Sequence, residues 1–319
     1  MKKINADFFN KSLISIDQFS KKDIGIIFKT AEKMEKIINK KQQSNLLKGF
    51  VVVQLFYQPS TRTFTSFLAA AKWLGAMTIP LHGMASYSSA VKGESLADTI
   101  RTVHQTTAAD LIVLRHPDDN SAQTASRASY VPIINAGSGK KEHPTQAILD
   151  FYTIKKELKR TTNLKVVFLG DLKYGRTIKS LGKLLSLVDK NLELFLVSPK
   201  ILKMPQSLIK KWRKRGVKIS QTEKLNQVLA KTDVLYVTRV QKEWFKNKKE
   251  YQKVAGSYLI DKKTIKKAKR KMIVMHPLPR VGEIAPETDQ DQRAAYFRQM
   301  RNGLYIRMAL LKLILIKKQ

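Results

Sequence analysis

Eight short runs of aliphatic and β-branched residues recur along the chain, separated by segments long enough for an amphipathic helix, and few folds accept that alternation. The runs are FVVVQLFY (50–57), MTIPL (77–81), DLIVLR (110–115), VPIIN (131–135), KVVFLGD (165–171), LELFLVS (192–198), DVLYVTR (233–239) and KMIVMHP (271–277). Most are continuously apolar rather than alternating, as strands covered on both faces are, so the pattern predicts parallel sheets in an α/β architecture. Helices are expected over 20–40, 62–74, 94–107, 144–158, 176–188 and 293–317. The runs fall into two sets of four, divided near HPTQAILDFYTIKKEL (143–158), which reads as a helix joining two doubly wound parallel-sheet domains.

In open α/β sheets ligands bind at the carboxyl ends of strands, and the polar clusters of this chain follow that rule. PSTRT follows the run at 50–57, RHP that at 110–114, GDLKYGRT that at 165–169, TRVQKE that at 233–237 and HPLPR that at 272–275. Ser60 reads as an N-cap, and the unpaired N–H groups of the turn after it sit at the positive end of a helix dipole, where an anion is favoured. Arg62 adds a planar fork that matches phosphate. An ordinary capped helix explains PST alone; the full Ser60-Thr61-Arg62-Thr63 run favours an anion site.

Arg115 and His116 stand at a strand end, and His143 and Gln146 at a helix start. Pro144 at the first helical position makes His143 the N-cap residue, where the dipole biases its imidazole towards neutral and lets it donate to a developing oxyanion. A His before Pro is also a common packing residue. Arg176, Arg239 and Gln241 give two forks and an amide, suited to a dicarboxylate, although each arginine alone reads as a surface charge. GDLKYGRT lacks G-x-G-x-x-G spacing, so it argues against a dinucleotide. Ser88, Lys92 and Glu94 lie in YSSAVKGESLADTI, either a surface loop ending in a helix N-cap or a lid carrying Lys92 to an anion.

Composition narrows the classes further. The formal charge is +35, with 19 Lys/Arg against 12 Asp/Glu in residues 1–150 and 41 against 13 in the remainder. Such a field attracts anions. The lysines are scattered without interleaved aromatics, which favours solvated faces over nucleic-acid binding. With no cysteine there is no disulfide, thiolate site or Cys nucleophile, and the histidines at 82, 104, 116, 143 and 276 lack zinc-ligand spacing, so no thiolate or zinc site is expected. No secretory signal is evident, and the apolar segment MALLKLILIKKQ is interrupted by Lys312 and shorter than the roughly 20 residues a bilayer needs. A cytoplasmic protein without a membrane partner is expected.

Together PSTRT, VKGESLADTIRT, RHP, EHPTQAILDFYT, GDLKYGRT, LYVTRVQKE, HPLPR and NGLYIRMALL resemble, in order, the aspartate carbamoyltransferase catalytic chain from about residue 50 to the C-terminus. The ornithine family shares Ser-Thr-Arg-Thr and His-Pro-Thr-Gln. It has His-Cys-Leu-Pro and a Ser-Met-Gly loop where this chain has HPLPR and Arg239-Val240-Gln241, so aspartate is favoured. The resemblance implies a carbamoyl phosphate domain at 1–145, onto which the helix at 293–319 returns, and an aspartate domain at 146–292. It implies phosphate held by Ser60, Thr61, Arg62, Thr63 and Arg115, and a carbonyl polarised by Thr63, Arg115 and His143. Gln146 and the Leu278-Pro279 backbone would hold the carbamoyl amide, and Lys92, Arg176, Arg239 and Gln241 the aspartate. No cofactor is implied. Ser88 and Lys92 would come from a neighbouring subunit, so a homotrimer with shared sites is expected, and the resemblance admits a separate regulatory chain as a further partner. The alternatives are a polyanion- or RNA-binding protein on this scaffold, or a transcarbamylase for another amino acid.

Five positions depart from the family pattern. Gln58 replaces a glutamate, Phe64 the arginine after Ser-Thr-Arg-Thr, and Trp244 the arginine after Arg-Val-Gln-Lys-Glu; Ser138 and Gly282 stand where aspartates are frequent. In relatives that glutamate pairs with arginines when the domains close. Closure is therefore expected to rely here on substrate contacts and packing, with Arg176 available to Gln58 as a neutral partner.

Overall fold

The computed structural model describes residues 2–242, 245 and 247–317, so Trp244 lies outside the described residues. Chain contacts group Met1–Leu149 with Met300–Gln319 as one compact unit and Asp150–Gln299 as another. Both changes of unit fall inside helices.

The first unit carries a four-stranded sheet in the order β2-β1-β3-β4, with every pairing parallel. Its strands are β1 (Val51–Phe56), β2 (Met77–His82), β3 (Leu111–His116) and β4 (Ile133–Ser138). The helices are α1 (Lys21–Asn39), α2 (Thr61–Trp73), α3 (Met84–Tyr87), α4 (Leu96–Thr107) and α5 (Ser121–Ala128), followed by α6 (Pro144–Leu158), which leads into the second unit. Val53, Leu55, Ile112, Leu114 and Ile133 from the strands pack with Ile100 and Ala125 from α4 and α5. Each fully buried aliphatic side chain contributes about 1.5–3 kcal/mol, which is why strands buried on both faces carry almost no polar residue.

The second unit has five parallel strands in the order β7-β6-β5-β8-β9. They are β5 (Lys165–Leu169), β6 (Glu193–Val197), β7 (Lys218–Thr222), β8 (Val234–Val237) and β9 (Ile273–Met275). The helices are α7 (Arg176–Val188), α8 (Gln206–Arg213), α9 (Lys248–Gln252), α10 (Lys262–Lys266) and α11 (Tyr296–Leu315), whose residues from Met300 onward belong to the first unit. There the Asn10 N–H donates to the Ile314 carbonyl at 2.9 Å, and the Arg307 guanidinium lies 5.2 Å from the centre of the Phe67 ring.

Two expectations need correction. The second set holds five strands rather than four, because β7 (KISQT) is an edge strand whose polar residues face solvent and give no apolar run. Helices α3, α5, α8, α9 and α10 were also not anticipated; they span 4, 8, 8, 5 and 5 residues, too short for a clear helical period. Among the described residues no helix is long and apolar enough to cross a membrane.

Candidate active site

Each sheet reverses its strand order once; Ser60 to Thr63 and Arg115 follow the strands at the first of those points and Arg176, Arg239 and Gln241 those at the second, whereas Ser88 and Lys92 follow β2, His143 and Gln146 follow β4, and Leu278 and Pro279 follow β9. In the first unit the chain goes from β1 through α2 to β2 on one side, while β3 lies on the other side of β1. The crevice at the carboxyl ends of β1 and β3 is the switch point. Phe56 is registered with Arg115 across it, and the Tyr57 N–H donates to the Arg115 carbonyl at 2.9 Å. PSTRT and Arg115 are thereby neighbours through main-chain pairing.

Ser60 occupies the N-cap of α2 but its side chain makes no capping bond, contrary to expectation. Its ψ of 97° differs from the 149° to 171° of Ser15, Ser20 and Ser95, whose hydroxyls do accept from their helices. Nor does α2 have an acidic residue in its first turn, whereas Asp23 and Asp98 occupy the first turns of α1 and α4. The positive end of α2 is thus left for an anion. Thr61 is exposed, Arg62 half-buried and Thr63 buried, so the run grades from solvent inward.

The Thr63 hydroxyl lies 3.4 Å from Nε2 of His143. His143 is buried, immediately precedes α6, and its carbonyl accepts from the N–H groups of Gln146 and Ala147, as an N-cap residue does. Thr145 Oγ1 stands 3.5 Å from its other ring nitrogen, and Gln146 is buried one turn on. Glu142, a residue the sequence did not single out, fixes this turn: its carboxylate accepts from the Ser15 hydroxyl at 2.8 Å and the Ile16 N–H at 3.0 Å. Arg115 donates from Nη1 to the Ala136 carbonyl at 3.4 Å, at the end of β4. Beside it, burial holds the His116 imidazole below the usual histidine range, with Asp118 opposing that shift. His116 Nδ1 accepts from the Asp118 N–H at 3.1 Å, and its ring meets Tyr57 at 4.6 Å.

Phe64 packs edge-on against Phe56 at 5.2 Å and lies 5.5 Å from the His82 ring, so an aromatic contact fills the place of the family arginine. Gln58 is half-buried. Ser138 is buried, and its N–H donates to the Glu142 carbonyl at 3.0 Å. Ser88 is engaged locally: its hydroxyl accepts from the Ala90 N–H at 3.2 Å and donates to the Met84 carbonyl, and Lys92 is exposed. The segment holding them forms α3 and a 3₁₀ turn (Ser89–Lys92) rather than an irregular loop.

In the second unit the switch point lies between β5 and β8. The loop after β5 ends at Arg176, the first residue of α7, and the loop after β8 carries Arg239 and Gln241; all three are half-buried. Gly170 makes their approach feasible. Its φ is +108°, and a Cβ there would sit 2.2 Å from the Thr238 carbonyl oxygen. Thr238 ties the two loops, donating its N–H to Leu169 at 2.9 Å and accepting from the Asp171 N–H at 3.1 Å. Asp171, also missed from sequence, is fully buried and accepts from Lys173 and Tyr174 N–H groups at 3.1 and 2.9 Å. Burial raises its carboxyl, and bonds from the main chain of Tyr174, Gln241 and Lys173 oppose this. An aspartate directly after a strand-ending glycine was its only signal.

Leu278 and Pro279 follow β9 in a loop with Leu278 at φ +51° and a cis peptide between them. His276 accepts from the Leu278 N–H at Nδ1 (2.8 Å) and meets Glu283 at Nε2 (2.7 Å). Gly282 has φ +101°, a backbone an aspartate would adopt only with strain. No cluster of potential metal ligands occurs among the described residues.

Two parallel α/β units, each with arginine-bearing loops at its switch point, define a two-domain α/β protein equipped for anionic small molecules. Residues 11–156 match the model for "Aspartate/ornithine carbamoyltransferase, carbamoyl-P binding domain", and residues 162–314 that for its "Asp/Orn binding domain". The chain belongs to the aspartate/ornithine carbamoyltransferase family. It is 47% identical to the aspartate carbamoyltransferase catalytic subunit of Thermococcus kodakarensis, over 97% of this chain and 98% of that one. With the corresponding subunit of Methanocella arvoryzae it shares 49% identity, over 97% and 98%. Among solved structures, aspartate transcarbamoylase from Trypanosoma cruzi in complex with carbamoyl phosphate and aspartate matches with a TM-score of 0.92 and 42% identity, covering 97% of this chain and 98% of that one.

Proposed function

We propose that the protein transfers the carbamoyl group of carbamoyl phosphate to the α-amine of L-aspartate, giving N-carbamoyl-L-aspartate and phosphate. The observation that carries this reading is the Thr63–His143 pair at 3.4 Å, beside the open N-terminus of α2 and next to the Arg115 strand. In this reading Ser60, Thr61, Arg62 and Thr63 hold the phosphate with Arg115. Thr63, Arg115 and His143 face the carbonyl oxygen, where charge builds as the amine adds. Gln146 and the main chain of Leu278 and Pro279 hold the carbamoyl amide. Arg176, Arg239 and Gln241, with Lys92, take the two carboxylates of aspartate as charge-assisted partners. The neutral amine forms the C–N bond and gives up a proton, and the C–O bond to phosphate breaks with its electron pair leaving on phosphate. Rate then comes from juxtaposition and preorganised positive charge.

The first unit serves as the carbamoyl phosphate domain and the second as the aspartate domain. The reaction belongs to pyrimidine biosynthesis, which agrees with the likeness to the multifunctional protein pyr-3 of Neurospora crassa, 48% identical over 97% of this chain and 17% of that one; a cytoplasmic location is part of the same proposal. A homotrimer is supported by the exposed apolar side chains of Tyr87 and Val91, 90% and 63% accessible, which adjoin Ser88 and Lys92 in the chain. In a trimer those two residues complete a neighbour's site, and a regulatory chain would bind elsewhere.

The test is turnover of carbamoyl phosphate with L-aspartate and L-ornithine as parallel acceptors, on protein whose mass is fixed by sedimentation equilibrium. Carbamoyl aspartate from a trimer supports the reading; transfer to ornithine alone, or none from a folded trimer, overturns it. The excess positive charge motivates a second reading, polyanion binding, against which the scattering of the lysines counts; in that reading RNA affinity should fall steeply from low to physiological salt while turnover persists.

A further inference from the structure

The loop after β9 is held by a hydrogen-bonded chain that begins at a carboxylate inside the second unit. Asp150 on α6 is fully buried, and both of its oxygens accept: Oδ2 from the Tyr236 hydroxyl and Oδ1 from Gln299 Nε2, each at 2.6 Å. The Gln299 side-chain oxygen accepts in turn from the main-chain N–H of His276 at 3.0 Å. A backbone N–H only donates, so this last bond fixes which end of the Gln299 amide faces Asp150.

The same reasoning fixes the imidazole. Leu278 N–H donates to His276 Nδ1, so Nδ1 carries no proton, and the ring proton sits on Nε2 and is donated to Glu283 Oε1. The other Glu283 oxygen accepts from the Val281 N–H at 3.0 Å. Both sides of the turn that presents Leu278 and Pro279 are therefore tied to one buried ring, and the ring's main chain to Asp150. Leu278 holds a left-handed φ of +51°, which costs a residue with a Cβ roughly 1–2 kcal/mol, so this backbone needs such support.

The geometry points to His276 and Glu283 as positioning residues for carbamoyl phosphate: they act on the carbamoyl end of the substrate by fixing the main chain of Leu278 and Pro279, with Asp150 and Gln299 as the anchor. This rests on the carbamoyl-transfer reading above. Because the loop holds the amide and not the phosphate, its loosening should weaken carbamoyl phosphate without weakening inorganic phosphate.

Three variants test it, with the KM of carbamoyl phosphate and the inhibition constant of inorganic phosphate as paired readouts. His276→Ala removes the acceptor for the Leu278 N–H, and the KM should rise about tenfold with the phosphate constant unchanged. His276→Asn places a side-chain oxygen near the former Nδ1 and should recover most of that loss. Glu283→Gln leaves one acceptor for two donors and should give an intermediate KM; it decides the matter if His276→Ala does not fold. Parallel weakening of carbamoyl phosphate and phosphate, no recovery in His276→Asn, or an unaltered KM in Glu283→Gln overturns the assignment. In the last two cases wild-type turnover leaves the reaction itself standing, whereas a wild type without turnover removes both.

Discussion

The Thr63 hydroxyl and the His143 imidazole stand 3.4 Å apart although 80 residues separate them, one in the first turn of α2 and the other at the head of α6. Both are buried, and each belongs to a helix that starts without an acidic residue in its first turn. Two hydrogen-bonding groups from separate elements thus converge on one point. If they stabilise the same oxyanion, Thr63→Ala and His143→Ala should each lower kcat by about 10²-fold or more. The double variant should lose less than the product of the two losses, as a double-mutant cycle in kcat will show.

Arg239 and Arg176 should govern the acceptor alone. If Arg239 takes an aspartate carboxylate as proposed, replacing it by Gln removes a charge-assisted contact of about 1.5–3 kcal/mol, and the aspartate KM should rise roughly 10- to 100-fold. Inhibition by inorganic phosphate should hold at the wild-type value, a comparison steady-state kinetics delivers directly.

Gly170→Ala should be far more damaging than a methyl group suggests. Its Cβ would enter the space of the Thr238 carbonyl, and its φ of +108° is outside the range of L-residues. Several kcal/mol of stability should be lost, lowering the melting temperature by 10 °C or so, with the aspartate KM raised in whatever protein remains folded.

His116 makes stability depend on pH. Its folded pKa lies below the unfolded value of about 6.5, so in the window beneath 6.5 the unfolded chain binds more protons. The contribution is complete above that pH and is lost as pH falls through it towards the folded pKa. Urea midpoints from pH 7.5 to 5 should decline less steeply in His116→Asn, which keeps an acceptor for the Asp118 N–H.

Asp233 carries a stability prediction of its own. Burial raises its carboxyl, but the bonds from Lys269 at 2.9 Å and Arg160 at 2.7 Å outweigh this and hold it below the usual range. It also accepts from the Lys165 N–H at 3.0 Å, where β5 begins. Asp233→Asn should cost about 2–3 kcal/mol, read as a lower urea midpoint at neutral pH with an unchanged m-value.

What the sequence revealed follows from how each feature is encoded. Strands such as β5 and β8 are buried on both faces and leave uninterrupted apolar runs, so the two-sheet architecture was legible. The loops after β1, β5 and β8 were legible because arginines and hydroxyls were clustered at strand ends. Strand β7 was not, since an edge strand facing solvent carries the composition of a loop. Glu142, Asp171 and Glu283 were missed for another reason: each binds main-chain N–H groups, and a main-chain partner leaves no mark in the residue types around it. The hydroxyl of Ser60 was assigned to capping, a role that depends on a ψ angle the residue name does not encode.

The paired switch points bear on how such a protein diversifies. Sheet order is fixed by buried strands that tolerate little change, while Arg176, Arg239 and Gln241, proposed above to take the acceptor, ride on the loops after β5 and β8, half-buried outside the packed layers. Exchange of a few positions from Arg239 to Gln241 therefore alters chemistry without renegotiating the core. One family domain described by both aspartate and ornithine is what inheritance on such a scaffold produces, and a laboratory seeking a new acceptor should randomise that loop before any strand.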